Sequence, residues 1–159
     1  MKKINVMNIN SYIPEGYHAV TPALAFHGAD AAIIWYKNVF GARVKMRFDN
    51  HDKTVAHAEI EIGDSVIMLS EENLKYNKSP KTVEGNSINL MLYVPDVDEV
   101  IKKAVNDGAR LIAPPADQFY GDRNGRIEDP FGYLWIISTH VKDVSEEEMK
   151  KAMEEMVPE

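Results

Sequence analysis

The chain has 159 residues, 45% of them apolar, a formal net charge of −7 and no cysteine. The length suits one domain of ordinary size or two small modules that share a core, and the absence of cysteine excludes disulfides, thiolate zinc sites and cysteine nucleophiles. The acidic balance disfavours binding to a nucleic-acid backbone, which needs clustered lysine and arginine, so no nucleic-acid partner is predicted.

The first half of the chain predicts a strand, a helix and three further strands. An extended apolar segment at 19–26 precedes a helix at 30–40, whose apolar residues have helical spacing and whose end is marked by Gly41. The three strands are predicted at 43–49, 55–62 and 65–71. Gly63-Asp64 has the composition of a two-residue hairpin turn between the last two strands.

The same order of elements returns in the second half. A strand at 87–94 is followed by a helix that Asp96 caps, with Glu99 at the third helical position. The end of this helix, Gly108-Ala109-Arg110, repeats Gly41-Ala42-Arg43 at an offset of 67 residues (108 minus 41). Three extended segments follow, near 111–112, 126–128 and 134–139. The agreement in order, helix-end motif and spacing predicts a tandem duplication.

Two segments flank the repeat. Residues 1–17 are predicted to form an N-terminal arm that is mobile or packed on a partner. Residues 141–159 are predicted to contain a C-terminal helix, because Ser145 and Glu148 have the spacing of a capping box. Four apolar residues share one face of this helix, namely Met149, Ala152, Met153 and Met156. We expect that face to dock on the domain or on a second subunit.

The chain has no recognisable targeting segment. Lys2 and Lys3 could open a signal peptide, but polar residues at 8, 10 and 11 interrupt the apolar segment that should follow. The longest apolar run, at 31–36, is far shorter than the roughly 20 residues that a membrane helix needs. We therefore expect a cytoplasmic protein without a membrane partner.

Seven short motifs accompany the two modules. They are the segments 13–18 and 36–42, Thr21-Pro22, His57-Ala58-Glu59, Gly63-Asp64-Ser65, Tyr120-Gly121-Asp122-Arg123 and Glu128-Asp129-Pro130-Phe131-Gly132. Together with the tandem modules, they resemble the PhnB-like branch of the vicinal oxygen chelate superfamily, which includes glyoxalase I, extradiol dioxygenases and bleomycin-resistance proteins. The resemblance covers about residues 18–140. It implies an α+β fold in which tandem βαβββ modules, at about 18–72 and 87–140, form one cup-shaped mixed sheet.

The resemblance also implies where a metal would be bound. Glyoxalase I-like relatives hold a divalent metal with His, Gln or Glu side chains from the first and last strand of each module, which point into the cup. The matching positions in this chain are Thr21, Met68, Asn89 and Ile136. None of the four is His, Gln or Glu, and no neighbouring residue supplies a ligand. We therefore predict that the usual metal site is missing and that no cofactor is bound.

Strand alternation brings other polar residues to the cup side of the first module. Across the first hairpin, Glu59 should pair with Met68 and His57 with Ser70, so His57 and Glu59 share that face. We interpret them as a pocket-lining pair in which an apolar environment makes Glu59 less acidic and able to act as a base with His57. The alternatives are a purely structural pair and a displaced metal site formed by His57, Glu59 and His140.

The other residues expected to bind a ligand are mostly apolar or neutral. They are Met68, Asn89, Met91, Tyr93, Phe119, Tyr120, Arg123, Ile136 and Ser138. Such a lining suits a small, partly apolar molecule, although the methionines could equally fill a core. Arg123 is expected either to hold a ligand carboxylate or phosphonate or to pair with one of three carboxylates in the chain. These are Asp122, Glu59 and Glu128.

The sequence is therefore interpreted as a dimeric, cytoplasmic PhnB-like protein that binds a small molecule without the usual metal. One alternative is a metal-dependent lyase, isomerase or dioxygenase that uses the displaced His/Glu site. A second is a drug-sequestering protein of the bleomycin-resistance kind, and a third is an interaction protein whose fold only carries a dimer surface. The sequence leaves open which ligand is bound and whether any reaction is catalysed.

Overall fold

The computed structural model describes residues 12–156 of the chain. The chain divides into two compact units between Ser79 and Pro80. Each unit has one four-stranded sheet and its own helices. Residues 1–11, which belong to the predicted N-terminal arm, and residues 157–159 lie outside the described part.

The first unit has the predicted order of a strand, a helix and three strands. Its elements are β1 (Ala23–Phe26), α1 (Ala29–Phe40), β2 (Arg43–Asp49), β3 (Val55–Ile62) and β4 (Ser65–Glu71). The sheet order is β1-β4-β3-β2, with β1 parallel to β4 and the other neighbours antiparallel. β1 begins four residues later than expected, after Pro22, because proline has no N–H to donate to a neighbouring strand.

The second unit repeats this order after a short helix that the sequence did not predict. Its elements are α2 (Pro80–Val83), β5 (Asn89–Tyr93), α3 (Val97–Asn106), β6 (Arg110–Asp117), β7 (Asp122–Glu128), β8 (Leu134–His140) and α4 (Glu146–Met156). The sheet order β5-β8-β7-β6 matches that of the first unit strand for strand. The predicted α+β fold of tandem βαβββ modules with a C-terminal helix is therefore confirmed.

Side-chain caps define where two helices begin. Asp96 accepts a hydrogen bond from the backbone N of Glu99 at 3.1 Å, at the start of α3. At the start of α4, the backbone N of Ser145 donates to Glu148 at 2.9 Å, and the backbone N of Glu148 donates to Ser145 Oγ at 3.3 Å. Both predicted caps are confirmed. No helix within residues 12–156 is long and apolar enough to cross a membrane.

In each unit a helix covers one face of the sheet. Ala58 and Ile60 of β3 are fully buried on the face covered by α1. In the second unit, Ile127 and Ile137 are fully buried on the face covered by α3. A Cβ atom added to Gly125 on this face would lie 2.5 Å from Ile101 Cδ1 of α3, so the helix packs closely on β7. The alternate residues of the same strands form the opposite surface, called here the helix-free face.

α4 carries the predicted apolar stripe, but no residue of this helix is buried. Met153 is 56% exposed and Met156 is 63% exposed. Within the described residues the stripe is only partly covered, because Met149 and Ala152 are half-buried, so docking on the domain stays untested. Docking on a second subunit, like the predicted homodimer itself, stays a prediction.

Candidate functional site

The strand register locates the four positions that match the metal ligands of glyoxalase I-like relatives. These positions are Thr21, Met68, Asn89 and Ile136. Met68 lies beside Ala23 of β1, and Ile136 lies beside Met91 of β5. The first-strand positions expected from the sequence, Thr21 and Asn89, thus lie two residues before Ala23 and Met91, which are the residues that pair with Met68 and Ile136 in the structure. Neither set contains a His, Asp or Glu side chain.

The first unit gathers three polar side chains on the helix-free face of β3. Glu59 is only 5% exposed and lies beside Met68 in the register, as predicted. It accepts a hydrogen bond from the Tyr17 hydroxyl, and its Oε1 lies 3.2 Å from His57 Nε2. Lys45 Nζ lies 3.7 Å from the centroid of the Tyr17 ring, which is a cation–π contact. We call Tyr17, His57 and Glu59 the Glu59 cluster.

The predicted change in the acidity of Glu59 is wrong in sign. The hydrogen bond from Tyr17 is the main cause that lowers the pKa of Glu59 below 4.5. Burial acts in the opposite direction, while His57 and Lys45 add to the lowering. A carboxylate with a lowered pKa is a weaker base than a free one. The catalytic role predicted for His57 and Glu59 therefore loses the physical argument on which it depended.

Tyr17 is the member of this cluster that the sequence reasoning missed as a site residue. It is separated from Glu59 by 42 positions, so no local spacing connects the two. Its place in the motif at 13–18 was the one available signal. The structure shows that the last residue of the predicted arm contacts the sheet of the first unit.

The second unit holds a larger polar cluster on the helix-free face of β7. Asp122 is 4% exposed, and its Oδ2 accepts hydrogen bonds from the hydroxyls of Tyr93 and Ser138, each at 3.0 Å. Its Oδ1 lies 2.8 Å from His140 Nδ1, and His140 Nε2 lies 3.0 Å from the exposed carboxylate of Asp143. We call Asp122, Tyr93, Ser138 and His140 the Asp122 cluster. It joins β5, β7 and β8 through one buried carboxylate.

Hydrogen bonds set the protonation states in the Asp122 cluster. Burial by itself would raise the pKa of Asp122, but the bonds from His140, Tyr93 and Ser138 together hold this pKa below 3.8. The contact with Asp122, followed by that with Asp143, raises the pKa of His140 above 6.5. The hydrogen bond to Asp122 raises the pKa of the Tyr93 hydroxyl above 10.0. An anionic carboxylate therefore faces an imidazole that protonates more readily than a free one.

We expect the free energy of unfolding to fall as the pH rises above about 6.5, because the pKa of His140 is raised in the folded state. A pKa that is raised in the folded state adds stability below the unfolded value of 6.5. That stability is lost as the pH rises through the folded value. Asp122 has a lowered pKa, so its contribution is present above 3.8 and is lost as the pH falls through its folded pKa. Together, Asp122 and His140 should therefore stabilise the fold most between about pH 3.8 and pH 6.5.

Urea unfolding across this pH range measures the effect, with the His140→Gln variant as the comparison. The variant should show a flatter dependence of unfolding free energy on pH than the unchanged protein, because it cannot take up the proton. Equal slopes for the two proteins would contradict the assignment of the raised pKa to His140.

The displaced metal site considered from the sequence combines residues of both units. Within residues 12–156, no three His, Asp or Glu side chains are grouped so that they could hold a metal ion. His57 and Glu59 belong to the cluster of the first unit, and His140 belongs to that of the second. The positions that match the metal ligands of the relatives therefore hold no ligand side chain, and the displaced site stays an untested alternative.

The register arranges the other predicted residues of the second unit in rows across its helix-free face. Each row takes one residue from β5, one from β8 and one from β7. The first row is Met91, Ile136 and Arg126, and the neighbouring row is Tyr93, Ser138 and Asn124. Met91 is 46% exposed and Tyr93 is 59% exposed. Asn89, which begins β5, is exposed as well. This face therefore presents apolar and aromatic surface beside the Asp122 cluster.

Phe119 and Tyr120 lie in the turn that leads into β7. Their rings are in edge-to-face contact, with centroids 5.2 Å apart. The Tyr120 hydroxyl accepts a hydrogen bond from Asn124 Nδ2 at 2.6 Å, and Asn124 is buried beside Ser138 in the register. This contact attaches the turn to the helix-free face of β7.

Arg123 lies on the opposite face of β7, where it forms ion pairs. Its guanidinium binds both carboxylate oxygens of Asp98 at 2.7 and 2.9 Å and one oxygen of Asp117 at 3.1 Å. The expectation of a structural pair is met, but the partners expected for it were wrong, namely Asp122, Glu59 and Glu128. The reason is strand alternation, which turns Arg123 away from Asp122 and towards α3.

These features define a class of protein built from two βαβββ modules. In each module a helix covers one face of the sheet, and a polar cluster lies on the other face. A family model described as the Glyoxalase/Bleomycin resistance protein/Dioxygenase superfamily matches residues 19–137. The chain belongs to this superfamily, as the sequence motifs predicted.

The similarity to other proteins covers most of the chain. An uncharacterised protein of Mycobacterium tuberculosis is 31% identical over 139 residues, covering 85% of this chain and 82% of the relative. Among solved structures, TioX from Micromonospora is 27% identical with a TM-score of 0.60, covering 77% of this chain and 99% of TioX. The PhnB protein from Bacillus cereus is 18% identical with a TM-score of 0.61, covering 77% and 99%, and this likeness shows the fold.

Proposed function

We propose that this chain is a PhnB-like member of the superfamily that binds a small, partly apolar organic molecule without the usual metal. The observation that carries the proposal is the helix-free face of the second unit, where exposed Met91 lies on the same strand as Tyr93, an exposed member of the Asp122 cluster. Ligand sites typically combine apolar surface with a few fixed polar groups. Methionine adapts its shape to different apolar ligands.

The Asp122 cluster supplies the fixed polar groups. Tyr93 and His140 each have one hydrogen bond to a buried carboxylate, which holds their rings in place before a ligand arrives. Tyr93 is more than half exposed, so its ring is available to a ligand, whereas the second nitrogen of His140 is already in contact with Asp143. A site whose side chains are held in advance loses less conformational entropy on binding.

The absence of family metal ligands at Thr21, Met68, Asn89 and Ile136 supports binding without a metal. The drug-sequestering, metal-dependent and interaction-protein alternatives are not favoured by any feature of the described residues.

The proposal is tested by metal analysis and by a binding screen on the full chain. Protein purified without chelator should contain far less than one transition metal per chain. In a thermal-shift screen of small aromatic and aliphatic acids, amines and alcohols, at least one compound should bind saturably. The Tyr93→Ala variant should bind that compound about tenfold more weakly.

Tyr76→Ala is the matched control, because Tyr76 is 82% exposed and lies outside the helix-free face of the second unit. Its affinity should stay within about twofold of the unchanged protein. One tightly bound transition metal per chain would overturn the proposal. So would the lack of any binding compound, or equal losses of affinity in the two tyrosine variants.

A further inference from the structure

Arg126 is the arginine that has no carboxylate partner in the described part of the chain. The other four arginines are all in ion pairs: Arg43 with Glu61, Arg47 with Asp30 and Asp49, Arg110 with Glu128, and Arg123 with Asp98 and Asp117. The Arg126 side chain is exposed and makes neither an ion pair nor a hydrogen bond with any residue from 12 to 156. Its guanidinium therefore keeps its full donor capacity for a ligand.

Arg126 also lies at the centre of the helix-free face proposed to bind the ligand. It pairs with Ala113 of β6 on one side and with Ile136 of β8 on the other, and Met91 of β5 is next to Ile136. Adjacent strands are about 4.8 Å apart, so the apolar surface of Ile136 and Met91 begins beside the Arg126 side chain. No charged residue stands next to Arg126 in this row.

At the equivalent position of the first unit, the charged residue is Glu59, which already has hydrogen-bonding partners. Glu59 lies between Met46 and Met68, in the same place of its sheet as Arg126 between Ala113 and Ile136. Glu59 is buried and hydrogen-bonded by the first unit itself. The two modules thus differ at this position, because among residues 12–156 the charge of Glu59 is hydrogen-bonded and that of Arg126 is exposed and has no partner.

We propose that Arg126 binds the carboxylate of an organic ligand whose apolar body lies on Ile136 and Met91. This inference rests on the proposed function and names the ligand class, an organic monocarboxylate. A guanidinium matches a carboxylate with two parallel hydrogen bonds. One guanidinium neutralises one negative charge, whereas a phosphate dianion would leave a second charge unpaired beside an apolar surface.

The register also limits the size of the ligand. The row that contains Tyr93 and Ser138 is two residues further along the strands, about 7 Å from the row of Arg126. Asp122 is a further two residues along β7, or about 13 Å from Arg126. A ring carried on a short chain spans the first distance, so that its far end reaches Tyr93.

Calorimetric titration of the full chain with two matched probes tests the inference. The probes are 4-phenylbutyrate, which carries a carboxylate, and 4-phenylbutanamide, its neutral isostere. The unchanged protein should bind the acid about tenfold more tightly than the amide. Arg126→Gln should remove this preference, and Arg126→Lys should retain part of it, because lysine keeps the charge without the two-pronged geometry.

Arg123→Gln is the matched control, since it removes the same charge from the other face of the same strand. It should keep the preference for the acid within about twofold. The urea midpoint of Arg126→Gln should equal that of the unchanged protein, because the side chain is exposed and unpartnered. This agreement would exclude unfolding as the cause of any lost binding.

Three outcomes would overturn the assignment of Arg126 while leaving small-molecule binding intact. They are a preference for the acid that survives in Arg126→Gln, a preference that is lost in Arg123→Gln, and equal binding of acid and amide by the unchanged protein. Tighter binding of inorganic phosphate than of 4-phenylbutyrate would overturn the carboxylate class. A failure of both organic probes to bind saturably at about 10 mM would count against both this inference and the proposed function.

Discussion

Replacement of Asp122 by alanine is expected to lower the free energy of unfolding by about 3 kcal/mol. The carboxylate is buried and has three hydrogen-bonding partners, so the change removes all three interactions at once. Tyr93 and His140 are exposed enough to find water, but Ser138 is fully buried and would be left without this partner. Urea unfolding at constant pH measures the loss, and an unchanged m value would show that the transition stays two-state.

Asp143→Asn provides the control for this prediction. Asp143 is the other carboxylate that contacts His140, but its side chain is fully exposed. Surface ion pairs contribute little, so the loss should be much smaller than that of Asp122→Ala. Asp122→Asn keeps the size of the side chain and should fall between the two. A cost for Asp122→Ala below about 1 kcal/mol would contradict the role of the Asp122 cluster in joining three strands.

Gly121→Ala is expected to cost about 4 kcal/mol or to prevent accumulation of folded protein. Gly121 has a φ of +98°, where an alanine is strained, and the new Cβ would collide with the carbonyl oxygen of Lys142. The neighbouring backbone cannot easily move away, because the Gly121 oxygen accepts hydrogen bonds from the N atoms of Val141 and Lys142 at 2.9 and 3.1 Å. Thermal and urea unfolding, together with soluble yield, measure the effect.

Gly63→Ala separates backbone strain from collision. Gly63 also has a positive φ, +61°, but a Cβ added there meets no atom within 4 Å. Its cost should be about 1 kcal/mol, from the left-handed conformation alone. If the two alanine variants were equally stable, the close approach of Gly121 to Lys142 would be refuted as the reason for glycine in the Tyr120-Gly121-Asp122-Arg123 motif.

Local patterns predicted most of the fold. The alternation of residues in β2 and the glycine-centred hairpin between β3 and β4 each gave correct strands, and Asp96 gave the correct start of α3. These patterns succeed because the bonds concerned join residues a few positions apart. The pairing of Glu59 with Met68 was predictable for the same reason, since the hairpin turn sets the register.

The same reasoning failed where a side chain has partners from distant parts of the chain. The acidity of Glu59 depends on Tyr17, and the environment of Asp122 depends on Tyr93 and His140. Arg123 was a candidate to hold a ligand anion or to pair with a carboxylate, whereas in the structure it faces α3 and forms an ion pair with Asp98. No spacing in the sequence distinguishes it from Arg126.

The sequence by itself therefore determined the duplication, the order of elements and the lack of His, Gln or Glu at the four metal positions of the relatives. Each of these depends on residue type, local periodicity or self-similarity. Only the tertiary structure decided which charges are satisfied within the chain and which arginine remains free on the described face. Ion pairing and pKa depend on distances between atoms in space, and those distances are set when strands far apart in the sequence come together.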